Sequence, residues 1–329
     1  MPTLTLKRFI AVSLAYSFLP LVAAQATDGV IELNETCAVQ TGCFLADAPG
    51  YPITIVGQIA GGTYRLTSNL VVPNENTDGI QVSVSSVTID LNGFEIVRNG
   101  CQGATSLCTP LSGIGSGIIR STSSHRGTAV KNGTITGMGQ YGVRLAEQAE
   151  VTNLRVRWNR YSGIQVGDGS TVSGNTAYEN GLDGIGGSSG STVSGNSVYR
   201  NGDEGIEVNP GSTVRGNTAH GNAGDGIRTS IGSTVSGNTT YQNGVNGIVV
   251  GAGSLVQGNA AYGNLGSGIV TGSGATVQNN TARGNSIYGI SLGSQSAYRE
   301  NVITNNGTGT VLGGVNMFSN SCNGTTTCP

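Results

Sequence analysis

Gly184-Ile185-Gly186-Gly187-Ser188-Ser189-Gly190-Ser191-Thr192-Val193-Ser194-Gly195-Asn196-Ser197-Val198-Tyr199-Arg200-Asn201-Gly202-Asp203-Glu204 is one of seven consecutive 21-residue segments that run from Gly163 to Gly309. Each opens on Gly-Ile, from Gly163-Ile164 to Gly289-Ile290, and each reaches an Asn near its end. A period this short, with glycines at fixed phases, is the signature of a solenoid. Within a segment, apolar residues alternate over three-residue runs such as Ile206-Glu207-Val208, Thr213-Val214-Arg215 and Thr218-Ala219-His220. Alternation between Gly and Asn turns predicts three short strands per coil. Helical spacing of apolar residues is missing, and glycine is too frequent for helix. The fold class expected is all-β: a right-handed parallel β-helix, a three-sheet solenoid of about 21 residues per coil with disulfide-stapled end caps.

Residues 21 apart then become neighbours on successive rungs, roughly 4.8 Å apart. Val172, Val193, Val214, Val235, Val256 and Val277 form one inward ladder, and Ile164 through Ile290 another. Asn175 to Asn301 form a polar ladder at a corner, where stacked amides bond to the coils above and below. A second Asn column, Asn159 to Asn306, is likewise a turn feature.

Outward from this array, residues 1–24 read as an export signal: Lys7 and Arg8 precede an apolar run that ends at Val22-Ala23-Ala24. No later stretch is apolar enough to span a bilayer, so the expected protein is exported, periplasmic or extracellular. Residues 25–60 are expected to cap the N-terminal end, 61–309 to form the β-helix with a loop insertion at about 99–120, and 310–329 to cap the C-terminal end. Six cysteines fall as three close pairs, Cys37/Cys43, Cys101/Cys108 and Cys322/Cys328. Six cysteines allow many connectivities, but a stiff rod keeps distant positions apart and favours the near pairs. Disulfides imply an oxidising compartment. With histidine only at 125 and 220, and no Cys-x2-Cys spacing, the sequence argues against a zinc site.

Val87-Thr88-Ile89-Asp90-Leu91-Asn92-Gly93-Phe94, Lys131-Asn132-Gly133-Thr134-Ile135 and the Gly-Ser-Thr-Val-Ser-Gly-Asn coils resemble the bacterial right-handed β-helix repeat proteins. Those proteins fall within the pectate-lyase-like superfamily and include NosD-like periplasmic proteins. The resemblance covers roughly residues 60–310 and implies a polysaccharide ligand, often with lyase, hydrolase or epimerase activity. The chain departs from the superfamily's enzymes. It has Ala219-His220-Gly221 where a polygalacturonase has Gly-His-Gly, and it lacks the Asp-Pro-His-Asp of alginate epimerases. It also shows no nucleotide loop and no nucleic-acid module.

Charge is uneven along the chain. Residues 98–160 hold eight Lys or Arg against two acids, and residues 163–225 hold seven acids against two Arg. Three candidate sites follow. The first is Lys131, Arg155 and Arg157 beside Trp158, which is expected to contact the sugar: the arginine forks suit uronic carboxylates, and Lys131 or a tyrosine would take the C5 proton in a lyase. The competing structural reading pairs Lys131 with Asp90 and Arg157 with Glu179. The second is the column Tyr178, Tyr199, His220, Tyr241, Tyr262, bounded by Arg157 and Arg283, whose rings would stack sugars or else shield the sheet and pack on one another. The third is Asp183, Glu204 and Asp225, with Asp203 and Glu207 close by. These carboxylates repel unless protonated, paired with Arg200 and Arg228, or bridged by calcium, the only cofactor suggested and none being required. Two carboxylates about 5 Å apart also suit a retaining glycosidase.

The function expected is binding of polysaccharide or cell-surface glycan through the stripe and the arginine patch. The alternative is a lyase, epimerase or glycoside hydrolase acting on uronic acid polymers. A distant third is an ice- or surface-binding face along Thr171, Thr192, Thr213 and Thr234, a column broken by Leu255 and Ala297. The partner is a polysaccharide in the first two readings, and no oligomeric state follows from the sequence.

Overall fold

Three strands per coil, each three residues long, recur down the chain because the backbone turns at residues with positive φ. In one coil these are Gly211 (φ 70°), Gly216 (φ 62°) and Gly221 (φ 62°). L-residues reach this left-handed region at a cost that glycine escapes, so the glycine phase is the corner phase. The computed structural model describes residues 29–56, 62–104, 108–120, 122–326 and 328. The expected export signal lies outside the described residues.

Between the corners lie Ile206–Val208, Thr213–Arg215 and Thr218–His220, and the strand types repeat in every coil of the array. Three faces result, here called the Ile, Thr and Tyr faces. Between coils of the array the strands pair in parallel and in 21-residue register, as in Ile185↔Ile206, Thr192↔Thr213 and Ser197↔Thr218. The Ile face is a sheet of 12 strands. The Thr and Tyr faces merge into one 23-stranded ladder, because Ala129–Thr136 and Glu150–Arg157 run through the corner as single strands. The expected three sheets are therefore three faces, two of them continuous at these rungs.

The core is a narrow aliphatic column. The valine ladder from Val172 to Val277 and the isoleucine ladder from Ile164 to Ile290 are fully buried. Two buried asparagine ladders line the corners. In the first, Nδ2 of Asn196 donates to Oδ1 of Asn217 at 2.9 Å, and Nδ2 of Asn217 donates to Asn238 at 3.0 Å. In the second, Nδ2 of Asn201 donates to Asn222 and Nδ2 of Asn222 to Asn243, at 2.9 and 3.0 Å. Each amide also serves a backbone carbonyl on the coil behind, as Asn217 does for Val193 at 2.9 Å. Burial of these polar groups is tolerated because their donors and acceptors are met.

Before residue 129 the register is irregular: Ile53 pairs with Ile80 and Ile80 with Ile118. The described part of the segment between Glu95–Arg98 and Ile118–Arg120 forms no strand. Arg98 anchors it, its Nε donating to the Gly137 carbonyl at 2.7 Å and Nη2 to that of Cys108 at 2.9 Å. The disulfides are Cys37–Cys43, Cys101–Cys108 and Cys322–Cys328, the near pairs expected. Among the described residues no helix is long and apolar enough to cross a membrane.

Candidate functional site

The Tyr face carries the aromatic column in register, Tyr178↔Tyr199↔His220↔Tyr241↔Tyr262. Ring centroids stand 4.9, 5.0, 4.5 and 5.0 Å apart, with interplanar angles of 10°, 7°, 6° and 1°. These separations match the strand spacing, so the backbone itself sets the stack. Nη1 of Arg157 donates to the Tyr178 hydroxyl at 3.4 Å, and Arg283 follows Tyr262 at the other end. Burial and the charge of Arg200 push the His220 imidazole below its usual pKa, which keeps the middle ring neutral near pH 7.

This geometry changes how the column can meet a ligand. Each inner ring has both faces covered by its neighbours, so sugar rings cannot lie on them. What faces solvent is the rim: the phenolic hydroxyls and the imidazole edge, one per rung. Beside it runs a row of half-buried hydroxyls, Thr176, Ser197, Thr218 and Thr239. At the N-terminal end, a shallow groove of about 580 Å³ opens at the corner between the Thr and Tyr faces. Asn132, Thr134, Asn153, Arg155 and Thr176 are among its lining residues. Arg155 is exposed, and its charge also acts on Tyr199.

The three candidate catalytic residues do not converge. Lys131 Nζ lies 3.8 Å from Asp90, the ion pair that the competing reading expected. The corner at Asn132 (φ 60°) turns Lys131 and Arg155 onto different faces. Arg157 lies over Trp158, its Cζ 4.1 Å from the ring centroid, and its Nη2 is 4.0 Å from Glu95 rather than against Glu179. Trp158 is only 3% exposed, and its Nε1 donates to Glu179 at 2.6 Å. Glu179 in turn pairs with Arg200 at 3.5 Å. Arg155 alone of the three opens into the groove.

The acidic rungs also regroup. Asp225 is fully buried, held by Arg228 at 2.5 Å and by both the backbone and side-chain amides of Asn246 at 2.8 and 3.0 Å. Asp183, Asp203 and Glu204 remain, with oxygens within 4.8 Å of one another. Burial, then the charges of Glu207, Glu204 and Asp203, push the Asp183 carboxyl up to about 7. Asp203 is raised to about 6, first by its hydrogen bond with Glu204. Oxygen ligands of this kind suit a hard cation. Arg228, 2.8 Å from Glu204, already offsets part of the charge. Retained protons can offset the rest.

The folded state thus holds protons here that the unfolded chain releases near pH 4. Stability from this cluster is fully present below that pH and falls as pH rises through about 6 and 7, because the native state then binds more protons than the unfolded one. Relative to Asp183→Asn, the wild type should lose on the order of 1–2 kcal/mol between pH 4 and 7.5 after allowance for solvent screening. Urea melts of both proteins across that range read the difference directly, and parallel curves would dispose of the protonated cluster.

Residues 116–255 match the family model described as right handed beta helix region. The sequence matches no curated protein. Among solved structures, the chain is similar to a variant of the periplasmic alginate epimerase AlgG, at 18% identity and TM-score 0.58, covering 88% of this chain and 83% of that one. It is similar to the Azotobacter vinelandii mannuronan C-5 epimerase AlgE4 A-module, at 16% identity and TM-score 0.54, over 80% of this chain and 91% of that one. The Dettilon tailspike protein gp208 aligns at 14% identity and TM-score 0.58, over 78% of this chain and 60% of the other. At these identities the likeness is one of fold. Together with the parallel in-register coils, it gives the chain the fold of a right-handed parallel β-helix.

Proposed function

We propose that the Tyr face binds a linear polysaccharide running along the rod, with the rim of the ring stack and the adjacent hydroxyl row as the contact surface. The observation that carries this is the stack itself: five rings in register, nearly parallel, offering one polar group per rung. A repeating ligand meets a repeating surface without a specific pocket, and each hydroxyl adds about 0.5–1.5 kcal/mol. Arg155 in the groove supplies a guanidinium fork for a uronic carboxylate near the N-terminal end of the face. The names of the solved epimerases, alginate and mannuronan, point to the same ligand class. Three disulfides suit an exported protein that meets such polymers outside the cytoplasm. Binding is preferred to turnover because Lys131 and Arg157 are engaged by their own partners, which leaves Arg155 alone in the groove.

Replacing Tyr178, Tyr199, Tyr241 and Tyr262 together by Phe keeps the stack and removes only the hydroxyls. Affinity for an alginate or pectate oligomer, measured by calorimetry, should fall at least about tenfold. Undiminished binding by the Phe variant would remove the rim from the reading. An ultraviolet-absorbing unsaturated product in the same mixtures would replace binding with lyase chemistry.

A further inference from the structure

One position on the Ile face breaks the rule that its column obeys. In register along that column stand Ile55, Val82 and Arg120, and the next rungs carry Leu145 and Val166. The four aliphatic residues are at most 2% exposed. Arg120 is half-buried, with its backbone in a slot built for a branched apolar side chain. Departures from an otherwise strict pattern concentrate at functional positions. Beside it, Arg144 occupies the outward position between Ile119 and Gln165. Its Cζ lies 5.1 Å over the Tyr141 ring, which meets Tyr161 edge-on at 5.5 Å.

Arg120 and Arg144 share a groove of about 260 Å³, whose lining also includes Tyr141, Gln165, Gly167 and Ser188. Among the described residues neither arginine has a carboxylate within ion-pair distance. The nearby acids are otherwise engaged: Glu147 pairs with Arg126 at 3.8 Å, and Oδ1 of Asp168 accepts the Ser189 amide at 3.1 Å. Two arginines that line one partly buried groove, with no carboxylate paired to either among the described residues, leave a local excess of positive charge. Further along the same face the sign reverses at Glu207, close to Asp183, Asp203 and Glu204. That field repels an anion from the far rungs and confines it to the arginine end.

The geometry points to an oxyanion-binding site between Arg120 and Arg144 on the Ile face, distinct from the Tyr face and independent of it. Its ligand is a carboxylate, sulfate or phosphate group held by the paired guanidinium forks, with Gln165 and Ser188 available to complete the hydrogen bonds. The group can arrive as a free inorganic ion or as the acid of a sugar chain, and the two sources are separable.

The test is calorimetry on the full folded chain with sodium sulfate in one arm and a tri-galacturonate in the other, ionic strength held constant with sodium chloride. Arg120→Leu restores the aliphatic column and removes the charge; it should melt at or above the wild type without added anion, so a lost response is not lost folding. Arg144→Gln removes the second fork. In both variants the affinity for the responding probe should fall at least about tenfold, the equivalent of one charge-assisted bond. Arg299→Gln, which removes an exposed charge on a distant rung, should leave it unchanged. A response to sulfate identifies a general oxyanion site, and a response to the uronate alone identifies a sugar-borne acid. No response to either probe in the wild type, or an undiminished response in Arg120→Leu, overturns the site.

Discussion

Asn217→Ala is expected to destabilise the rod by about 3–5 kcal/mol, among the largest effects of any single substitution in the array. Asn217 is 1% exposed. Its Oδ1 accepts from the backbone amide and from Nδ2 of Asn196, both at 2.9 Å. Its Nδ2 donates to Val193, Arg215 and Asn238 at 2.9, 3.1 and 3.0 Å. Alanine strands two donors on one side and weakens acceptors on the other, inside a wall that water does not reach. Each such group costs about 1–3 kcal/mol when left unmet. Because coils contact only their neighbours, the damage should be local: hydrogen exchange at the Asn196 amide should accelerate far more than exchange several rungs away. An unfolding free energy from urea melts within about 1 kcal/mol of wild type would mean that the ladder is ornamental to stability.

The second large effect separates two kinds of glycine that share one period. A Cβ on Gly226 would lie 2.6 Å from Nδ2 of Asn243 and 2.7 Å from the carbonyl oxygen of Gly247, one coil ahead. Neither can retreat without breaking ladder bonds, so Gly226→Ala should cost about 3 kcal/mol. A Cβ on Gly216 meets nothing within 4 Å, but its φ of 62° lies in the left-handed region. Gly216→Ala should cost only about 1–2 kcal/mol. Denaturant melts of the two variants test the order. If Gly216→Ala proved the more damaging, backbone conformation rather than inter-coil contact would govern the Gly-Ile position.

These contrasts also mark where the sequence was readable. The period placed Val172 and Asn175 on ladders because alternation and turn chemistry alone decide which way a three-residue strand points. The near cysteine pairing followed from the stiffness of the stack. Side-chain reach was harder to read. Tyr199 and His220 were placed on one line, but that their faces cover each other depends on ring separation equalling the strand spacing, a distance no residue pattern contains. Trp158 read as a contact for sugars lies beneath Arg157, because its left-handed corner (φ 57°) turns the indole back against the wall. Asp225 shares its phase with Asp183 and Glu204 yet sits buried with Arg228, three residues on. Asp203, one residue off phase, took its place in the cluster. Arg120 could have been noticed as a cation in an aliphatic column, had the irregular register before residue 129 been known.

From Gly163 onward each coil presents to the next the same sockets it receives from the one before: an amide for an amide, a valine for a valine. A tandem duplication or loss of one whole unit would therefore leave both ends of the rod as they are. Such a family can drift in length by single rungs, each gain extending the row of hydroxyls by one place, while a change of any other size would throw every ladder out of step.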